Sequence, residues 1–326
     1  MAKDCTEEKL ATMPLSLSPT PLEDALLPPD LHISEICDSL AVMDLQEDST
    51  YHVRDYLADS VGIRKRASKP VDADCRVKMC EWCYQVVDFC KFRRETVGIG
   101  MSYLDRFLCT PRGRDALCNR KEYQLAAMTA LYIAIKLHEP LEMETSLLAD
   151  LSRGCYTEME FVEMEQTILL ALEWRVNGPT ALSFVQHFMA FMPRSVHPTI
   201  TEAIFDYARY QTELALADQA FVGTKLAEIG LAAVLNAMEG LDTAMLPLKV
   251  QGKFVRNIER YVGILADDVE NTQAKLSLLL VNMLSGDFAE ILGPAEEESV
   301  DEYLEDHHYK HSNVLRDSPV SVVIRR

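Results

Sequence analysis

Apolar residues recur at spacings of three and four along most of this chain, and that period predicts α-helices. Strand-like alternation of apolar and polar residues is hard to find. The predicted helices cover residues 77–92, 95–109, 121–137, 142–151, 157–172, 181–191, 199–216, 224–238, 253–265 and 271–284. A break at Gly178 and Pro179 separates the first five helices from the last five.

Two of these segments are apolar or small on nearly every side: YQLAAMTALYIAIKL at 123–137 and KLAEIGLAAVLNAM at 225–238. A helix without a polar face is normally enclosed by other helices. Each segment is the third of its set, and the two sets are offset by about 100 residues. The pattern therefore predicts an all-α fold of two tandem five-helix bundles, each built around a buried central helix.

The periodic pattern is absent from both ends of the 326-residue chain. Residues 1–45 contain five of the fourteen prolines and predict a flexible leader. Residues 46–178 would form the first bundle, with a short helix preceding it, and residues 179–295 would form the second. Residues 296–326 predict a disordered acidic tail.

Composition and charge narrow the function classes. A net charge of −19 disfavours general affinity for nucleic acid or for anionic membranes. No apolar run reaches the roughly 18 residues that a membrane helix needs, and the first ten residues lack the layout of a signal peptide. We expect no nucleic-acid or membrane partner, and a location in the nucleus and cytoplasm. The basic stretch GIRKRASKP at 62–70 fits a nuclear import signal and a solvated loop equally well.

Nine cysteines, an odd number, occur in a chain without an export signal, which argues against a disulfide framework. Cys80 and Cys83 form a CxxC motif on the same predicted helix as Cys75 and Cys90. Because a second CxxC is missing from the sequence, half-buried thiols are favoured over a zinc site. We expect no metal and no cofactor.

A charged pair interrupts the apolar pattern of the second predicted helix, in the stretch YLDRFL. Asp105 lies beside the core face, where a carboxylate is costly unless a cation from another helix pairs with it. Arg106 follows directly, and we expect its charged end to reach solvent.

The stretch CRVKMCEWCYQVVDFCKFRRETVGIGMSYLDRFL resembles the first cyclin box. Arg76, Trp82, Glu95 with Thr96, and the YLDRFL run fall where cyclins place them. The stretches ALYIAIKLHEP and CYTEMEFVEMEQTILLALEWRVNGPTALSF continue the resemblance, which covers residues 50–190 and extends beyond them in helix count and order. YLDRFL and IKLHEP resemble D-type-like cyclins, and we expect an origin in a protist or alga.

The resemblance assigns roles to several residues. In cyclins the arginine at the position of Arg76 forms a buried salt bridge with the aspartate at the position of Asp105. Lys136 and Glu165 match a lysine–glutamate pair at the surface where the mobile helix of a cyclin-dependent kinase docks, although spacing alone favours ordinary helix-end and surface charges. The resemblance implies four further kinase-binding residues, each of which could instead be core: Leu137, Leu169, Trp174 and Val176. It also implies that Val53 and Tyr56 anchor a short helix that packs on the box and contacts the kinase.

Many cyclins also bind short Arg-x-Leu motifs of substrates in a shallow apolar groove on the first helix of the box. The matching positions here are Cys75, Lys78, Met79, Trp82, Gln85 and Gln124. Lys78 brings a cation into the floor of this groove, and Gln85 replaces an acid that would pair with the incoming arginine. The resemblance therefore implies weak or altered docking of substrates or inhibitors.

The function that the resemblance implies is a regulatory, activating subunit of a cyclin-dependent protein kinase, without catalysis of its own, in cell-cycle control. The alternative is a cyclin-fold protein that acts in transcription or as a scaffold and activates no kinase. A metal-dependent hydrolase is disfavoured, because the sequence has no Gly-rich phosphate loop, Ser/His/Asp arrangement or paired-carboxylate cleft.

Overall fold

The computed structural model describes residues 26–27, 31–65, 67 and 69–285. These residues form two compact units. The first unit comprises Gln46–Thr180 and Leu216–Gly223, and the second comprises Leu26–Leu45, Ala181–Ala215 and the described residues from 224 onward.

The described part of the chain is helical apart from its connections, with one isolated β-bridge between Lys69 and Asn119. Helix α1 (Ile33–Asp48) comes first, and most of it belongs to the second unit. The first unit contains α2 (Tyr56–Asp59), α3 (Val61–Arg64), α4 (Ala73–Cys90), α5 (Glu95–Leu108), α6 (Arg120–His138), α7 (Thr145–Leu151) and α8 (Glu158–Ala171). The second contains α9 (Ala181–Met189), most of α10 (Pro198–Ala217), α11 (Leu226–Glu239), α12 (Leu248–Tyr261) and α13 (Ala266–Ser285).

Side-chain caps fix where the helices of the first unit begin. The Asp72 carboxylate accepts a hydrogen bond from the Cys75 N–H at 3.0 Å at the start of α4. At the start of α8, Thr157 and Glu160 form a reciprocal capping box. Such caps satisfy N–H groups that have no partner within the helix.

Helix α6 is the centre of the first unit. Every residue from Ala126 to Ile135 is buried, and α6 packs against both α5 and α8. The α5 helix approaches closely at Gly100, where a Cβ atom would lie only 3.0 Å from the Leu131 Cα. The missing side chain at Gly100 therefore allows α5 and α6 to pack closely.

Helix α11 has the same role in the second unit. Every residue from Ile229 to Met238 is buried, and α11 packs against α9 and α13. The buried Asn236 amide donates hydrogen bonds to the Gln211 side-chain oxygen at 3.0 Å and to the Gln273 carbonyl at 3.1 Å. These contacts satisfy a polar group inside an apolar core. The predicted all-α fold with two central helices is confirmed.

The prediction of a flexible leader over 1–45 is wrong for its last third, because α1 begins at Ile33. Ile36 and Leu40, one helical turn apart, are buried. The five prolines that suggested flexibility all precede residue 30, so they do not interrupt this helix. The rest of the leader lies largely outside the described residues, as does the tail predicted over 296–326.

The predicted linear boundary at residue 179 also differs from the structure, since Leu216–Gly223 returns to the first unit. The Arg76 Nε donates to the Leu216 carbonyl at 3.1 Å, and the Gln219 amide donates to the Asp55 carboxylate at 2.9 Å. Hydrogen bonds between residues so distant in sequence leave no periodic signal.

No helix among the described residues is long and apolar enough to cross a bilayer.

Arg76 on α4 and Asp105 on α5 form a buried ion pair. The Arg76 Nη2 donates to Asp105 Oδ2 at 3.0 Å, and Nη1 donates to Oδ1. The Tyr56 hydroxyl accepts from Arg76 Nη1 at 2.9 Å and donates to Asp105 Oδ1 at 3.1 Å. Burial alone would lower the pKa of Arg76, but the Asp105 charge and its hydrogen bonds hold that pKa above the ordinary value. Asp105 thus has the cation that its position demands.

We expect the substitution Arg76→Ala to lower the free energy of unfolding by about 3–5 kcal/mol, because it leaves the Asp105 carboxylate buried without a cation. Urea denaturation of the purified chain measures this change. Tyr56→Phe is the control, since it removes only one hydroxyl of the same network and should cost about 1 kcal/mol. An Arg76→Ala loss no larger than that of Tyr56→Phe would contradict the structural role of the pair.

Candidate functional site

Lys136 and Glu165 meet at the surface of the first unit. Lys136 lies in the last turn of α6 and Glu165 on α8, and the lysine Nζ donates to the Glu165 Oε1 at 2.7 Å. Their side chains are 41% and 17% exposed. Burial would lower the pKa of Lys136, but the hydrogen bond and the charge of Glu165 outweigh it and raise that pKa. The chain thus holds a charged, partly exposed pair.

Large apolar side chains are exposed near this pair. Leu137 follows Lys136 and is exposed, and Trp174, just after the end of α8, is 64% exposed. Val176 is half-buried. We call Lys136, Leu137, Glu165, Trp174 and Val176 the docking surface. Exposed apolar groups beside a fixed charge pair are typical of a protein-binding surface.

Leu169 does not belong to this surface, contrary to the sequence prediction. It is only 8% exposed and packs in the core of the first unit. Adjacent apolar residues on a helix point about 100° apart, and here the next residue, Leu170, is the exposed one. Sequence reasoning also missed an exposed stripe of Met159, Val162 and Leu170 on α8. The available signal was that α8 carries more apolar residues than one buried face requires.

Of the two predicted anchors before the box, Val53 is half-buried and Tyr56 is buried. Tyr56 cannot contact a partner directly, because its hydroxyl belongs to the network of Arg76 and Asp105. Residues 54–57 read RDYL, which fits a minimal RxxL destruction motif, and its Leu57 is also buried. Binding of that motif in an extended form would require the short α2 helix to unfold.

The prediction that the charged end of Arg106 reaches solvent is also wrong. It is only 7% exposed, and its Nη1 donates to the Arg175 carbonyl at 2.8 Å. Its guanidinium lies 4.5 Å from the centre of the Tyr51 ring. A carbonyl and an aromatic face, both of which attract cations, replace the water that Arg106 loses.

The predicted substrate-docking residues range from buried (Met79) through half-buried (Cys75, Lys78, Trp82, Gln124) to exposed (Gln85). The Lys78 ammonium lies 2.9 Å from the Asp74 carboxylate one turn earlier. The Gln124 side-chain oxygen lies 2.9 Å from the Tyr156 hydroxyl. The Lys78 cation therefore remains in the predicted groove, although Asp74 on the same helix pairs with it.

The cysteines of α4 behave as core groups. Cys80 and Cys83 are buried, and burial raises the pKa of Cys83 well above its ordinary value. Burial also raises the pKa values of Cys75 and Cys90 to about 11, so both remain thiols at neutral pH. Among the residues that the structure describes, no group of three or more His, Cys, Asp or Glu is arranged to hold a metal ion.

Comparisons with known proteins find related sequences and a similar fold. A family model described as "Cyclin, N-terminal domain" matches residues 38–177. Cyclin-A1-2 of Arabidopsis thaliana is 24% identical over 83% of this chain and 57% of that protein. G1/S-specific cyclin-D1 of Mus musculus is 25% identical over 57% of this chain and 60% of that protein. A solved viral cyclin from herpesvirus saimiri superposes with a TM-score of 0.55 at 20% identity, covering 76% of this chain and 96% of that one.

The matches cover the curated relatives only in part. The chain spans less than two thirds of the length of the two curated relatives. At 20% identity, the structural likeness shows a common fold. The A-type and D-type relatives match at nearly the same identity, so the D-type likeness and the origin in a protist or alga stay predictions.

Proposed function

This chain belongs to the cyclin family, and from that membership we propose that it is the regulatory subunit of a cyclin-dependent protein kinase, without catalysis of its own. The observation that carries the proposal is the Lys136–Glu165 pair, held at 2.7 Å beside exposed apolar side chains. The relatives include proteins named for the G1/S and G2/mitotic stages, which supports a role in cell-cycle progression.

The docking surface suits an amphipathic helix of the kinase. Exposed Leu137 and Trp174 would lose water against its apolar face, which favours binding. The Lys136 ammonium has three N–H donors, and its hydrogen bond to Glu165 uses one of them. The remaining donors and the second Glu165 oxygen can fix the register of the bound helix.

Activation then follows from preference between two kinase conformations. A subunit that binds only the conformation with the mobile helix turned inward shifts the kinase towards it and completes the lysine–glutamate pair of the kinase site. Moving a kinase from about 1% to about 99% active requires roughly 5.5 kcal/mol of preference. The alternative, a transcription factor or scaffold of the same fold, would bind partners without raising kinase activity.

We also propose a location in the nucleus and cytoplasm. Part of the basic cluster at 62–70 is committed to the fold, because Arg64 donates to the Leu57 carbonyl at 2.6 Å and to the Val71 carbonyl at 2.8 Å. An import receptor would have to recognise the cluster through its other basic residues.

Lys136→Glu and Glu165→Ala should each lower kinase affinity at least about a hundredfold, since each 1.4 kcal/mol is tenfold and an unpaired interfacial charge costs several kcal/mol. Titration calorimetry with a purified cyclin-dependent kinase measures the affinity. The melting temperature should change little, because both side chains are partly exposed in the free chain.

Lys225→Glu is the matched control. Lys225 lies 3.8 Å from Asp44 in the second unit, and its side chain is 44% exposed, close to the value for Lys136. The same charge reversal at that pair should leave kinase affinity unchanged. If neither Lys136→Glu nor Glu165→Ala weakened binding, the docking surface would be misplaced and the proposal would fail.

Recognition of Arg-x-Leu motifs should be weak. Gln85 supplies no negative charge for the incoming arginine, and loss of one desolvated ion pair costs about 2–5 kcal/mol. Fluorescence polarisation with a labelled Arg-x-Leu peptide measures the affinity, and Gln85→Glu should strengthen it. Micromolar or tighter binding to the unmodified chain, abolished by Trp82→Ala, would show that the groove works without that acid.

A further inference from the structure

The turn that follows α8 has an unusual backbone. Glu173 and Trp174 are consecutive non-glycine residues with φ values of 52° and 60°. Residues with bulky side chains rarely adopt this left-handed region, because the Cβ approaches the following carbonyl. We call residues 172–177 the Trp174 turn. A turn with two such residues in succession persists only where the surrounding structure holds it.

A backbone hydrogen bond closes the start of this turn, because the Trp174 N–H donates to the Leu169 carbonyl at 2.9 Å. Two side chains of α5 hold the rest of it. The Tyr103 hydroxyl donates to the Val176 carbonyl at 2.6 Å, and the Arg106 Nη1 donates to the Arg175 carbonyl at 2.8 Å. Tyr103 and Arg106 are three residues apart, so they lie on the same face of α5. Both are buried. Successive carbonyls of the turn are thus fixed by donors on one rigid helix.

The same contacts link the turn to the end of α6. The His138 Nε2 lies 3.0 Å from the Tyr103 hydroxyl. Since that hydroxyl gives its single proton to the Val176 carbonyl, the imidazole N–H donates to the hydroxyl oxygen. Burial, followed by the Arg93 charge, lowers the pKa of His138, which favours the neutral ring. His138 is two residues from Lys136. The hydrogen bonds through Tyr103 therefore link the end of α6, which carries Lys136, to the Trp174 turn.

Arg106 also connects the Trp174 turn to Tyr51, which precedes α2. Its guanidinium lies over the Tyr51 ring, and a Cβ atom at Gly178 would collide with that ring. The Arg175 side chain extends outward and donates to the Thr50 hydroxyl at 2.9 Å. The charge of Arg106 is therefore enclosed between the Trp174 turn and the chain segment before α2.

We propose that Tyr103 and Arg106 are positioning residues that hold the Trp174 turn in its positive-φ conformation and so present the Trp174 side chain to the kinase. The identity of the partner rests on the proposed function, whereas the holding of the turn rests on the geometry alone. A large aromatic side chain fixed before binding loses less freedom when it binds, so pre-organisation increases affinity.

The fluorescence of Trp174 tests, in the absence of any kinase, whether Tyr103 and Arg106 hold the turn. The chain has two tryptophans, so Trp82→Phe leaves Trp174 as the only one. In this background, time-resolved anisotropy reports the motion of Trp174. Tyr103→Phe, which keeps the buried ring, should at least double the amplitude of the fast, subnanosecond depolarisation. Arg106→Met, which keeps the length of the side chain but removes its donors, should do the same.

Tyr156→Phe is the matched control. Its hydroxyl also donates to a backbone carbonyl at 2.6 Å, that of Lys121, and its ring is also buried. It should lose stability comparably and leave the Trp174 anisotropy unchanged. If Tyr103→Phe and Arg106→Met both gave the decay of the Tyr156→Phe control, the two residues would not hold the turn, and the proposal would be overturned.

Kinase affinity tests the second half of the proposal through a double-mutant cycle. Tyr103→Phe should weaken binding about tenfold in the otherwise unmodified chain and less than twofold when Trp174→Ala is also present. An equal loss in both backgrounds would show that Tyr103 does not act through Trp174. Absence of any binding by the unmodified chain would instead overturn the proposed function, and the anisotropy would still decide whether the turn is held.

Discussion

The buried guanidinium of Arg76 is the constraint on which the first unit depends. Taken out of water, it needs hydrogen-bond partners for its donors, and it makes four hydrogen bonds, to Asp105 on α5, Tyr56 on α2 and the Leu216 carbonyl. One charge thus fixes the position of α2, the register of α4 against α5 and the return of the chain at Leu216. Because these contacts share one group, loss of the guanidinium would affect all of them together.

Helix α5 divides its polar residues between two tasks. Asp105 faces the core and completes the ion pair, whereas Tyr103 and Arg106 reach carbonyls of the turn after α8. A single helical turn therefore stabilises the bundle and shapes its docking surface. The YLDRFL stretch is consequently a structural element whose effect on partner binding is indirect.

Much of this architecture could be predicted from the sequence, because helix periodicity and apolar central segments follow directly from burial. The need of Asp105 for a cation was also visible from its place beside a core face. The acceptors of Arg106 were not, since any backbone carbonyl can serve and carbonyls leave no trace in sequence. Likewise, Leu169 and Leu170 are interchangeable in a pattern of apolar spacing. Only the resemblance to cyclins distinguished Lys136 from an ordinary helix-end charge.

The phosphorylation rate of a peptide by a purified cyclin-dependent kinase, measured with increasing amounts of this chain, tests the central claim most directly. A shift from about 1% to about 99% active kinase predicts a rise of about a hundredfold. The rise should saturate at one chain per kinase. A kinase that binds the chain to saturation and gains no activity would contradict the account and favour a scaffold.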